Sequence, residues 1–149
     1  MLQEKASRVG LNSVGDFVSL AVARGCRHYA PAFPPSQKDP GFGAISNEEL
    51  VALLLLEANE IEPIAIRCAA RLSGRCNVEQ LANVARRERV GHALFYFANA
   101  GFAYDGANKA YWERLVHLLG EQRSIVDGFC KLASRDLAAG ACSGYIANK

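Results

Sequence analysis

The apolar positions of this chain recur at helical spacing over most of its length, and they predict an all-α fold. Leu50, Val51, Leu53, Leu54, Leu55 and Leu56 mark a helix expected over roughly 47–58 that is apolar on nearly every side. Such a helix is buried over most of its surface, so it needs cover from its own chain or from a second copy. Its start is legible. Ser46-Asn47-Glu48-Glu49 is a capping box, in which the Ser46 hydroxyl accepts from the Glu49 amide and the Glu49 carboxylate accepts from the Ser46 amide. Ile45 and Leu50 fall at the two positions of a hydrophobic staple.

Pro63 suits the first turn of the next helix, which carries Ile64, Cys68 and Leu72 and stops near Ser73-Gly74. Asn77-Val78-Glu79-Gln80 reads as a second capping box, with Cys76 and Leu81 as its staple pair. Leu81, Val84 and Ala85 form the stripe that follows. Arg86-Arg87-Glu88-Arg89 interrupts it, and Leu94, Phe95, Phe97 and Ala98 lie beyond. The pattern over 78–100 fits one long helix or two that break near Gly91. Gly101 to Asn108 reads as a turn. Tyr111, Trp112, Leu115, Val116 and Leu119 predict a helix over 109–119 that ends at Gly120. Ile125, Val126, Phe129, Leu132, Ala133 and Leu137 predict another over 122–138. Near the start, Ser13-x-x-Asp16 precedes Phe17, Val18, Leu20, Ala21 and Val22, and the pattern halts at Gly25. A helix fits there, with a strand as the fallback because of the two valines.

Five to seven helices joined by short loops make an irregular bundle or a short stack of antiparallel helical hairpins. Pro31, Pro34, Pro35, Pro40, Gly41 and Gly43 crowd into 31–44, where no regular helix can run. That break separates residues 1–45, an N-terminal element with a Pro/Gly-rich arm, from a helical body over 46–149. At 149 residues the two parts make one structural domain. The arm is either ordered along the body, where Tyr29, Phe33 and Phe42 give it something to bury, or a mobile linker. Glu88-Arg89-Val90-Gly91-His92-Ala93-Leu94 echoes Glu113-Arg114-Leu115-Val116-His117-Leu118-Leu119, a faint sign of helical repetition.

Charge adds a local contrast. The chain as a whole carries +2, which does not mark a nucleic-acid binder. Glu48 to Glu62 holds five acids and no Lys or Arg, while Arg67 to Arg89 holds six arginines against two acids. Two facing helices that neutralise one another explain this, and so does a basic surface that meets an acidic partner. Arg67 and Arg71 share a helix face, and Arg86, Arg87 and Arg89 sit on the next element. If those helices form a hairpin, their arginines merge into one patch. Phe95, Tyr96, Phe97, Phe102, Tyr104, Tyr111 and Trp112 follow directly, either as core or as a contact zone. Arg beside Tyr and Trp suits protein interfaces, and also single-stranded nucleic acid.

Catalytic signatures are absent: no Gly-x-Ser-x-Gly, no phosphate-binding glycine loop, no His-Glu-x-x-His. Glu88/His92 and Glu113/His117 stand four apart, so each pair is expected to share one helix face. They are the metal candidates, although the four-residue spacing differs from the Glu-x-x-His of carboxylate-bridged di-iron bundles. Five scattered cysteines with no Cys-x-x-Cys suggest free thiols in a reducing compartment. No secretory h-region and no stretch of about 20 apolar residues is visible, so a cytoplasmic chain without membrane segments is expected.

The reading taken forward is a non-catalytic helical protein-binding module, an adaptor, regulator or inhibitor without a cofactor. Its contacts are expected at Arg86, Arg87, Arg89, Tyr104 and Trp112, with Arg67 and Arg71 in support. Another protein is the expected partner, and a homo-oligomer is compatible. The alternatives are a nucleic-acid-binding regulator using the same arginines and a small metal- or thiol-dependent enzyme.

Overall fold

The computed structural model describes residues 1–26, 39–56 and 63–120, and all regular structure among them is helical. The elements are α1 (Leu2–Arg8), α2 (Val14–Ala23), α3 (Asn47–Leu54), α4 (Pro63–Ser73), α5 (Val78–Glu88), α6 (Gly91–Tyr104) and α7 (Lys109–Leu119). A single 3-10 turn, Gly106–Asn108, joins α6 to α7. The helix expected over 122–138 lies outside the described residues.

The greasy helix α3 is the axis of the fold. Leu50, Val51, Leu53 and Leu54 are each buried, and α1, α2, α4 and α5 all pack on α3. Its cover therefore comes from its own chain. Burying a leucine contributes about 1.5–3 kcal/mol, so this helix is a large share of the core. The Ser46 box forms as expected: Glu49 N–H donates to Ser46 Oγ at 3.1 Å and Ser46 N–H to Glu49 Oε1 at 3.0 Å. At α2 the N-terminal box of Ser13 and Asp16 also forms, which settles that segment as helix.

The second expected box is half formed. Asn77 Oδ1 accepts from the Gln80 amide at 3.0 Å, but the Asn77 amide donates to Glu48 Oε2 at 2.7 Å instead of to Gln80. The buried Glu48 thus spends its charge on a helix start 29 residues away. A carboxylate there also meets the positive end of the α5 dipole.

Two helices, not one, cover 78–100. α5 ends in a Schellman motif, with Val90 N–H bonded to the Ala85 carbonyl and Arg89 N–H to that of Arg86. Arg89 takes the left-handed conformation this requires, at φ 63° and ψ 35°. The same bond pattern ends α1 and α2 at Gly10 and Gly25, where glycine supplies the positive φ. Arg89 is the one positive-φ residue other than glycine among those described. Its break also splits the echoed heptads: Glu88 and His92 fall on different helices, whereas Glu113 and His117 share α7. The echo is therefore not a structural repeat.

The expected turn from Gly101 is corrected in part. α6 runs on to Tyr104, because packing against α7 carries the helix past the glycine. The glycine is needed for that packing: a Cβ on Gly101 would overlap the Trp112 indole, reaching 2.5 Å from Cδ2 and 2.7 Å from Nε1. Only hydrogen fits between the two helices at this level.

The end of the Pro/Gly-rich segment is anchored. Arg24 holds the Asp39 carboxylate with Nε at 2.9 Å and Nη2 at 2.7 Å, and donates to Asn47 Oδ1 at 3.3 Å. The Phe42 ring covers the guanidinium at 4.6 Å. The Arg24 side chain is only 2% exposed, so it needs the bidentate partner to be stable there. That bond holds the Asp39 carboxyl below its ordinary value, against a smaller upward push from burial. The preceding part of the arm, 27–38, lies outside the described residues.

Candidate interaction surface

α6 and α7 pack antiparallel, and each end of that hairpin carries part of the expected contact zone. Fourteen residues of α6 span about 21 Å at helical rise. The arginines before α6 and the aromatics at its end therefore stand about 20 Å apart and form no single patch.

The basic end is a network. Arg86 Nη1 donates to the Leu118 carbonyl at 2.8 Å, and Nη2 bonds Asn83 Oδ1. This caps one of the carbonyls that the last turn of α7 leaves open. Arg87 Nε donates to Glu88 Oε2 at 3.0 Å, and its Nη2 lies 4.0 Å from Glu49 Oε2. Glu49 also receives Lys5 Nζ at 2.7 Å, so α1, α3 and α5 meet at one carboxylate. Burial pushes the Glu49 carboxyl up, but the bonds from Lys5 and Ser46 outweigh it and hold the group below its ordinary value. Ser46, Glu48, Glu49, Gln80, Asn83, Val84 and Arg87 line a shallow cleft of about 320 Å³ beside this network. Arg89 is exposed and makes no side-chain bond among the described residues.

The arginines of α4 do not join this group. α4 and α5 each pack on α3 and have no substantial contact with one another. Arg67 and Arg71 are half-buried, and both interact within the molecule. The hairpin that would merge the two sets is absent because α3 lies within reach of both helices and offers the larger apolar face.

The aromatic end divides in two. Trp112 is fully buried, which removes it from the expected contacts. Its Nε1 donates to Asp105 Oδ2 at 3.1 Å, and Asn108 Nδ2 donates to the same carboxylate at 3.2 Å. Tyr111 packs edge-on against the indole at 4.9 Å and donates from its hydroxyl to the Ser73 carbonyl. Burying an indole N–H demands an acceptor, and Asp105 is the one supplied. Tyr104, by contrast, is 59% exposed, and Phe102 is 41% exposed with Lys109 Nζ 5.2 Å from its ring centre. These two rings stand on a helix end that the Gly101–Trp112–Asp105 contacts hold in place.

The metal candidates do not converge. Glu88 is bound by Arg87, and His92 begins another helix, where it interacts within the molecule. Glu113 and His117 are exposed on α7. Among the described residues no three His, Cys, Asp or Glu side chains stand where they could hold a metal ion. Cys26, Cys68 and Cys76 are buried free thiols, and Cys130 and Cys142 lie outside the described residues. No described helix is long and apolar enough to cross a membrane.

Phe102 stands in the aromatic zone of the sequence reading but not among its chosen contacts, which are Tyr104 and Trp112, and the structure exposes it while burying Trp112. Its signal was present in the uncharged stretch from Gly91 to Tyr104. Asp105 carries no such signal, since an acid after a helix looks like an ordinary loop residue. Comparison with known proteins adds nothing to this geometry: no family model, curated protein or solved structure matches the chain.

Proposed function

We propose that the chain is a non-catalytic module that binds another protein, with Phe102 and Tyr104 as its principal contacts and Arg89 and Lys109 as flanking charges. The observation that carries this reading is the pair of exposed rings on a helix end backed by the buried Trp112. Aromatic side chains offer large contact area for little conformational entropy, and they dominate the energetics of interfaces. A Phe and a Tyr left in water on a loose loop would say little. Here the buried Trp112 and its bonds fix the backbone that presents them.

Nucleic-acid binding through Arg86, Arg87 and Arg89 is the second reading, favoured by the exposure of all three. Against it, Arg86 and Arg87 already have acceptors within the chain, which lowers what a phosphate would gain.

The test is recovery of a partner by the full chain from native lysate, with and without nuclease, alongside a Phe102→Ser, Tyr104→Ser variant. A protein held by the parent in both arms and lost by the variant, whose circular dichroism is unchanged, supports the proposal. Recovery that disappears with nuclease replaces it with nucleic-acid binding.

A further inference from the structure

We draw no further inference here: the strongest candidate, the shallow cleft between the start of α3 and α5, carries nothing, because its buried carboxylate Glu48 already accepts from the Asn77 amide and its Glu49 and Arg87 are already bonded to Lys5 and Glu88, so no group in it points to a ligand.

Discussion

Two ends of one helical hairpin carry the residue types most often found at the centre of interfaces, and the fold uses them in opposite ways. At the α5–α6 corner the charged residues turn inward to one another: Arg86 caps α7, Arg87 pairs with Glu88, and Glu49 is shared with Lys5. At the other end the largest aromatic goes into the core, and two smaller ones are left in water. Arginine and tryptophan look alike as sequence signals for binding. What separates their roles is what each finds nearby. An arginine within reach of carbonyls at a helix end satisfies them, whereas an indole facing a glycine is drawn into contact. The corner is thus held together by polar bonds and the tip by shape.

The largest effect should come from spoiling that shape. Gly101→Ala would force its methyl into a rigid indole that is itself anchored by Asp105 and Tyr111. We expect a loss of about 3 kcal/mol, toward the upper end for overpacking a filled core. Trp112 is the chain's one tryptophan, so its fluorescence during urea unfolding reports on this site directly. If Gly101→Ala unfolds at the parent's urea concentration, the indole has room to move and the tip is not held by shape. Arg86→Ala is the matched test at the corner. It should cost under about 1.5 kcal/mol, since it removes exposed hydrogen bonds and leaves no cavity.

Much of this was readable beforehand, and the failures have a common cause. Caps are local, so Ser13, Ser46 and Pro63 mark their helix starts from a few adjacent residues. The stripe of α7 and its stop at Gly120 are equally local. Pairing between distant elements was not legible. Glu48 looks like half of an acidic block, yet its partner is the Asn77 amide. Gly101 looks like a helix breaker, yet the close approach of α7 makes it a helix interior. α1 was not expected at all, because Leu2 and Ala6 are too few to show a period and become meaningful only once they reach α3. The exposed tip and the engaged corner follow from the same limitation. Sequence shows which residues can bind, and only the fold shows which have already been used.

A smaller effect, of opposite sign, should sharpen the contrast at the corner. Arg89 occupies the left-handed position that glycine fills at the ends of α1 and α2. A side chain in that conformation costs about 1 kcal/mol. Arg89→Gly should therefore stabilise the chain by up to about that amount, visible as a higher urea midpoint with an unchanged slope. A destabilised Arg89→Gly would mean instead that the guanidinium is holding the corner together, as Arg86 does.

The smallest effect should separate the two ends by pH. The Glu49 carboxyl has its folded-state value depressed below the ordinary 4.5 of the unfolded chain, despite the upward push of burial. Its stabilising contribution is therefore complete above that ordinary value and is lost as pH falls through the depressed one. The loss should be under about 1 kcal/mol, because Lys5 and Arg87 are 45% and 58% exposed and water screens them. Other carboxylates titrate in the same range, Asp39 among them, so the measurement is a difference. The parent should melt above Glu49→Gln at pH 7, and the gap should close as the pH falls through the depressed value of the carboxyl. Salt should narrow the gap at pH 7, since the pair is an electrostatic one. A gap that stays constant with pH would mean that Glu49 stabilises the corner through its hydrogen bond to the Ser46 amide, which glutamine can keep, and that the shared charge contributes nothing. The corner would then be held by helix capping alone, and the division between a polar end and a packed end would rest on Arg86.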